Sequence, residues 1–193
     1  CLNLGGFANV SFDMQNSRIA YDIGACNLIL NHYAQKLGYE YDDKGLLAQN
    51  GTCDESLLNE LNDIDYYDFS PPKSLAREFA ESQLLPLLSN YDEETVLHTY
   101  TKHIGFQIGV SLTKSKATKC LVTGGGTYNR FLIDQIQLHT RCFLEIPDCT
   151  IVDYKEALVF ALLGHLRKEN QINVLSSVTG AKYDHSSGRI AKP

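Results

Sequence analysis

The chain has 193 residues, of which 44% are hydrophobic and 21% are charged, and this composition suits one globular domain with a sizeable core. The net charge is −6, and no basic stripe or polybasic patch occurs, which argues against nucleic acid or a membrane surface as a partner. No apolar run approaches the length of about 20 residues that a membrane-spanning helix needs, and we expect no signal peptide.

Three short strands are predicted at the start of the chain, separated by turns at Gly5-Gly6 and at residues 14–17. The strands cover residues 2–4, 7–12 and 18–23, and they form an antiparallel meander. A helix is predicted at 27–37, ending at Gly38. The chain begins at Cys1 directly in an apolar segment, and domains seldom begin inside a buried strand, so we expect it to be part of a longer protein.

Residues 40–68 carry most of the acidity, with nine acidic residues against one basic residue, Lys44. This segment contributes −8, so the remainder of the chain sums to +2. We predict short helices and loops here, within an acidic helical insertion at 40–75. A solvated face is favoured over an oligomer surface.

The second half of the chain alternates helices and strands. Helices are predicted at 75–85 and 93–113, the latter with an apolar stripe at Val96, Ile104, Ile108 and Leu112. A strand at 119–123, a helix at 128–139, a strand at 142–146 and a helix at 154–167 follow. This order indicates an α/β fold of the ribonuclease-H-like type found in actin-like ATPases and sugar kinases.

Three consecutive glycines, Gly124 to Gly126, join the strand at 119–123 to the next helix. Bare backbone at a helix start suits a nucleotide or phosphate, whereas the plain alternative is a junction that needs positive φ. The pattern matches neither G-x-G-x-x-G nor a P-loop, since Asn129 and Thr127-Tyr128 occupy the decisive positions.

The cysteines and histidines show no metal-binding pattern. The six cysteines include no C-x-x-C pair, and we interpret them as reduced thiols in a cytoplasmic protein. His98 and His103 are five residues apart, which places them on different helix faces.

Six short motifs together resemble one family, the anhydro-N-acetylmuramic acid kinases of bacterial cell-wall recycling. They are Asn-x-Gly-Gly-x-x-Asn at 3–9, Asp-x-Gly-x-x-Asn at 22–27, Pro-Pro-Lys-Ser at 71–74, Gly-Gly-Gly-x-x-Asn at 124–129, Asp-Tyr-Lys-Glu-Ala at 153–157 and Val-Thr-Gly-Ala at 178–181. Mild departures occur at Ala25-Cys26 and Leu75-Ala76. The motifs occur in the family's order along the whole chain.

The resemblance implies that residues 1–193 are the C-terminal domain of a two-domain kinase. The family's catalytic aspartate and first phosphate loop are then expected before Cys1, in an N-terminal domain that acts as a partner. No catalytic residue is expected in this chain, and the chain alone is expected to be inactive.

The resemblance also implies the reaction and its ligands. The kinase would use ATP and Mg²⁺ to convert 1,6-anhydro-N-acetylmuramic acid to N-acetylmuramic acid 6-phosphate, and a homodimer is compatible with it. The implied nucleotide-binding residues are Asn3, Gly5, Gly6, Asn9, Gly124, Gly125, Gly126 and Asn129. The implied sugar-binding residues are Asp22, Asn27 and Glu156. No metal-ligating residue is assigned, because Asn3 stands where related kinases often have aspartate.

Several of these residues have a structural alternative. Asn129 suits a helix N-cap, and Asp22 and Asn27 flank a glycine turn. The spacing of Asp153 and Glu156 fits a capping box. Close packing is predicted for a stripe of mostly small residues on the last helix: Ala157, Phe160, Ala161 and Gly164. Two functional alternatives stay open: another sugar or carboxylate kinase of the same superfold, and a non-catalytic nucleotide-binding or interaction domain.

Overall fold

A mixed five-stranded sheet organises the chain, and a computed structural model describes it over residues 1–191. The strands are β1 (Leu2–Leu4), β2 (Phe7–Met14), β3 (Ser17–Ala25), β4 (Lys119–Thr123) and β5 (Phe143–Glu145). Their order is β3-β2-β1-β4-β5; the first three are antiparallel, and β4 and β5 continue the sheet parallel to β1. This confirms the predicted α/β, ribonuclease-H-like fold and its N-terminal meander.

The helices follow the predicted order. They are α1 (Asn27–Lys36), α2 (Leu46–Asn50), α3 (Glu55–Asn62), α4 (Arg77–Phe79), α5 (Leu85–Leu88), α6 (Glu93–Ser115), α7 (Arg130–Leu138), α8 (Cys149–Lys168) and α9 (Ser176–Thr179). A π-helical turn, Ala80–Leu84, joins α4 to α5, and a 3₁₀-helical turn, Gly125–Tyr128, precedes α7. Within residues 1–191, no helix has both the length and the apolar character needed to cross a bilayer.

Local chemistry explains where the N-terminal elements turn and end. Gln15 and Asn16 both have positive φ, 50° and 64°, as the tight turn between two antiparallel strands requires. After α1, Gly38 has φ +88°, a left-handed conformation that ends a helix and favours glycine. The chain therefore reverses at the positions that the sequence predicts.

The two faces of the sheet differ in burial. Leu2 and Leu4 in β1, and Ala8 and Val10 in β2, are buried in the core beneath α6. The residues between them on each strand point to the opposite face, since side chains alternate along a strand. That face is half-exposed and carries polar groups instead.

The acidic segment is built into the core more deeply than the prediction of an insertion suggests. Leu57 and Leu61 of α3 are fully buried, and α2 and α3 pack against α6. Most of its acidic side chains are exposed or half-exposed, and Asp42 is the buried exception. Burial raises the pKa of Asp42, and hydrogen bonds from the N–H groups of Leu47 and Ala48 oppose this shift.

The start of α8 corrects a prediction. The helix begins at Cys149, and its N-cap is Asp148, whose carboxylate accepts from the N–H groups of Thr150 and Ile151. A capping box at Asp153 and Glu156 is therefore wrong, because both residues lie inside the helix.

The predicted close packing on α8 is also wrong for the part of the chain that the structure describes. Ala157, Phe160, Ala161 and Gly164 are all exposed, with Phe160 at 70%. No atom would lie within 4 Å of a Cβ on Gly164. The small residues of this stripe therefore do not serve helix packing within residues 1–191.

Candidate functional site

Two glycine turns meet at one edge of the sheet. Gly5 and Gly6 follow β1, and the triple-glycine turn, Gly124 to Gly126, follows β4. Because β1 and β4 are parallel, their carboxyl ends lie at the same edge. In open α/β sheets this edge is the usual place for a ligand.

The three positions of the triple-glycine turn carry glycine for different reasons. Gly124 has φ +87°, and a Cβ there would lie 2.8 Å from the Leu4 carbonyl group. A Cβ on Gly126 would lie 2.7 Å from Leu4 Cβ. At Gly125 the nearest atom would be Asn27 Nδ2, 3.9 Å away. The fold thus requires glycine at two positions, and the third faces open space.

The hairpin turn at Gly5 and Gly6 is fixed to the start of α1. The Gly6 carbonyl accepts from the N–H groups of Cys26 and Leu28, and the Gly5 carbonyl accepts from that of Asn27. No atom would lie within 4 Å of a Cβ on Gly6. Gly6 and Gly125 therefore share the property that a side chain there would project into free space.

A cavity of about 450 Å³, here called the glycine cavity, opens beside the triple-glycine turn. Its lining includes Gly125, Gly126 and Asn129. Asn129 is buried and caps α7, with its Oδ1 accepting from the Leu132 N–H at 2.9 Å. Asn129 is thus a helix N-cap, as its structural alternative predicted, and it also lines the glycine cavity. Further lining residues, which the sequence analysis did not assign, are Leu30, Asn31, Tyr41, Asp42, Asp43, Lys44 and Tyr128.

Asn27 lies at the glycine turns and not with the sugar-binding candidate Asp22. Its Nδ2 donates to the Leu4 carbonyl at 3.0 Å, and the residue lines the glycine cavity. Asn9, assigned to the nucleotide, instead lines the same cavity as Asp22. The structure therefore groups these two asparagines in the opposite way to the sequence analysis.

A row of polar side chains crosses the half-exposed face of the sheet. Asp22 is paired with Asn9, Asn9 with Asn3, and Asn3 with Thr123. Paired residues on neighbouring strands lie side by side on one face. With strands spaced by about 4.8 Å, the polar row spans about 14 Å across four strands.

A second cavity, of about 560 Å³ and here called the hairpin cavity, lies at the Asp22 end of the polar row. Asn9 and Asp22 line it together with Ser74 and Thr179, so two further motifs of the sequence reach the same place. The Leu75 N–H donates to Asp22 Oδ2 at 2.9 Å. Within residues 1–191, no hydrogen bond engages Asp22 Oδ1.

Lys155 of α8 lies at the other end of the polar row. Its Nζ donates to Asn3 Oδ1 and, at 2.7 Å, to Thr123 Oγ1. Burial lowers the pKa of Lys155, and the neighbouring Glu156 acts in the opposite direction. Lys155 belongs to the Asp-Tyr-Lys-Glu-Ala motif but was not predicted as a site residue, since its partner Asn3 is 152 positions away.

Neither Glu156 nor Asp153 lines either cavity. Glu156 is exposed, and Asp153 Oδ1 accepts from the Tyr128 hydroxyl at 3.0 Å. Over residues 1–191, no cluster of three or more histidine, cysteine, aspartate or glutamate side chains could hold a metal ion. The Lys155 ammonium contacts Asn3, whose amide lies close to both Gly5 and Gly124.

A family model described as anhydro-N-acetylmuramic acid kinase matches residues 1–193. Proteins with that name from Sulfurimonas denitrificans and Francisella tularensis subsp. novicida are each 32% identical, over 98% and 97% of this chain. The one from Chromohalobacter salexigens is 34% identical over 94%. These alignments cover 55%, 54% and 53% of the three proteins, so the chain spans about half the length of these curated relatives.

Among solved structures, an activator of the 2-hydroxyisocaproyl-CoA dehydratase from Clostridium difficile with bound ADPNP is similar to this chain. It has a TM-score of 0.46 and 18% identity, and the match covers 87% of this chain and 62% of that one.

Proposed function

Because the chain belongs to the anhydro-N-acetylmuramic acid kinase family, we propose that it is the nucleotide-binding half of an ATP-dependent kinase of peptidoglycan recycling. The kinase converts 1,6-anhydro-N-acetylmuramic acid to N-acetylmuramic acid 6-phosphate. In this proposal, the other half of the protein closes over the open face of the sheet and completes the site.

The observation that carries the proposal is the polar row, which leads from the hairpin cavity to Asn3 and Thr123 beside the two glycine turns. Near the Asn3 end, the triple-glycine turn and Asn129 offer open backbone and an amide that line a cavity of nucleotide size. At the other end, the hairpin cavity offers Asp22, Asn9 and Ser74, which suit the hydroxyl groups of a sugar.

The reaction couples ring opening to phosphoryl transfer. The oxygen of a water molecule bonds to C1 of the sugar as the bond from C1 to the bridging O6 breaks. O6 then takes the γ-phosphoryl group of ATP, ADP leaves, and the water proton passes to a carboxylate.

Asp22 is the carboxylate that lines the hairpin cavity. Its Oδ2 is held by the Leu75 N–H, which fixes the side chain, and its Oδ1 remains available in the hairpin cavity. We therefore extend the sequence-based proposal, which placed the base outside the chain. Asp22 contacts the attacking water or the sugar, and the other half closes the site around it.

Mg²⁺ is part of the proposed reaction, and residues 1–191 contain no group of three or more histidine, cysteine, aspartate or glutamate side chains that could hold it. A homodimer and a cytoplasmic location stay predictions. The absence of nucleic-acid and membrane partners likewise stays a prediction.

The test is a coupled assay of ATP-dependent phosphorylation on the protein encoded by the complete reading frame, here called the full-length protein. We expect turnover of the anhydro sugar by the full-length protein and none by residues 1–193 alone. Other sugars and small carboxylates serve as competing acceptors. Preference for one of these, or turnover by the isolated chain, would contradict the proposal.

Asp22→Asn in the full-length protein tests the sugar end of the polar row. Asparagine keeps an acceptor for the Leu75 N–H but removes the charge, so the fold and the ATP affinity should change little. We expect kcat/KM for the anhydro sugar to fall at least a hundredfold, corresponding to about 2.7 kcal/mol. Ser11→Ala, on the wall of the same cavity, is the matched control; equal kinetics in both variants would remove Asp22 from the site.

A further inference from the structure

The charge of Lys155 has no carboxylate partner in this structure. Its Nζ is bonded to an amide oxygen and a hydroxyl oxygen, both neutral. Among the ion pairs within residues 1–191, none includes Lys155. A half-buried ammonium that has lost water without forming an ion pair is unfavourable. The arrangement is thus suited to an anion that arrives as a ligand.

Asn3 places this ammonium where the two glycine turns meet. A Cβ on Gly124 would lie 3.0 Å from Asn3 Oδ1, the atom that accepts from Lys155. A Cβ on Gly5 would lie 3.1 Å from Asn3 Nδ2. The Asn3 amide is therefore wedged between the turns, and the ammonium it holds borders both.

We propose that the Lys155 ammonium binds the terminal phosphates of the nucleotide at this junction. This inference rests on the proposed kinase function and names a residue outside its predicted site. Lysine is a compact point charge that suits phosphate oxygens. The side chain forms no covalent bond and transfers no proton. It offsets the charge that spreads over the phosphate oxygens as the γ-phosphoryl group moves from ADP to O6 of the sugar.

A purely structural role for Lys155 makes a different prediction. A lysine that only ties α8 to the ends of β1 and β4 would change stability when removed. It would affect all adenine nucleotides alike, because it would act on the shape of the site. A phosphate contact instead depends on how many phosphates the nucleotide carries.

The experiment uses three variants of the full-length protein and titration calorimetry with ATP, ADP and AMP. Lys155→Met removes the charge at similar length, Lys155→Arg keeps it, and Lys168→Met makes the same change at an exposed position of α8. We expect Lys155→Met to weaken ATP binding at least tenfold and AMP binding less than twofold. Lys155→Arg should retain most ATP affinity, and Lys168→Met should match the wild type.

Two results would overturn the inference. One is an equal loss of ATP and AMP affinity in a folded Lys155→Met variant. The other comes from labelling the wild-type protein with an amine-reactive reagent. We expect ATP, but not AMP, to suppress the labelling of Lys155. Equal labelling of Lys155 with both nucleotides would exclude the phosphate contact. If ATP protects Lys155 but the anhydro sugar is not phosphorylated, the inference stands and the proposed substrate is wrong.

Discussion

The hairpin turn at Gly5 and Gly6 and the triple-glycine turn lie at the same edge of the sheet, yet their glycines have different neighbours. At Gly124 and Gly126, the backbone or side chain of Leu4 would contact an added Cβ. At Gly6 there is no such neighbour, and at Gly125 the nearest atom would be at ordinary contact distance. One glycine motif thus combines positions that the fold needs with positions that it does not.

This difference separates two reasons for glycine in the triple-glycine turn. The sequence left two alternatives, a ligand turn and a simple strand–helix junction. The structure assigns the junction role to Gly124 and Gly126, which let β1 and the turn approach each other. Gly125 and Gly6 lack such a neighbour, and an added side chain there would project into open space, where the proposed nucleotide would lie. Substitutions at neighbouring positions should therefore have opposite consequences.

Gly125→Val in the full-length protein should have the largest effect on binding. The side chain would project beside Asn27 into the glycine cavity and exclude the nucleotide. We expect ATP affinity, measured by calorimetry, to fall at least a hundredfold, or about 2.7 kcal/mol. The free energy of unfolding should change by less than about 1 kcal/mol, since φ at this position is compatible with a side chain. Wild-type affinity in a folded variant would remove Gly125 from the site.

Gly126→Ala should have the opposite effect, since it should lower stability more than ATP affinity. A methyl group would lie 2.7 Å from Leu4 Cβ, so the core strand or the turn must shift. Overpacking of this kind costs about 1–3 kcal/mol, and denaturant unfolding of the full-length protein measures it. The residual folded protein should bind ATP more tightly than Gly125→Val does. Unchanged stability would show that the two positions are not distinguished by packing.

The three strands of the N-terminal meander were predictable because their causes are local. Leu2 and Leu4 alternate with Asn3, and turn residues separate the three strands of the meander, so the pattern alone sets their limits. The start of α8 was not predictable in this way. Asp148 is followed by Thr150, Ile151 and Val152, β-branched residues that are weak helix formers. The later Asp-x-x-Glu spacing therefore looked like the helix start.

The site was predictable only in part, because its groups meet through the sheet. The glycine turns were marked by composition, and the sequence motifs led to Asp22 and Asn129. The contact of Lys155 with Asn3 depends on the parallel pairing of β1 with β4 and on the position of α8. These are properties of the tertiary structure, which spacing along the chain does not contain.

Glu156→Gln extends the comparison between structural and open positions to α8. Asp148 caps the helix, whereas Glu156 is exposed and takes no part in the cap, so its removal should leave the free energy of unfolding within about 0.5 kcal/mol. If Glu156 holds a sugar hydroxyl as predicted, kcat/KM for the anhydro sugar should fall at least tenfold, or about 1.4 kcal/mol, with ATP affinity unchanged.

Asp148→Ala is the matched control: it should cost about 1 kcal/mol of stability through the lost cap and leave the sugar kinetics of the folded protein unchanged. Unchanged kinetics in Glu156→Gln would leave Asp22 as this chain's charged contact to the sugar.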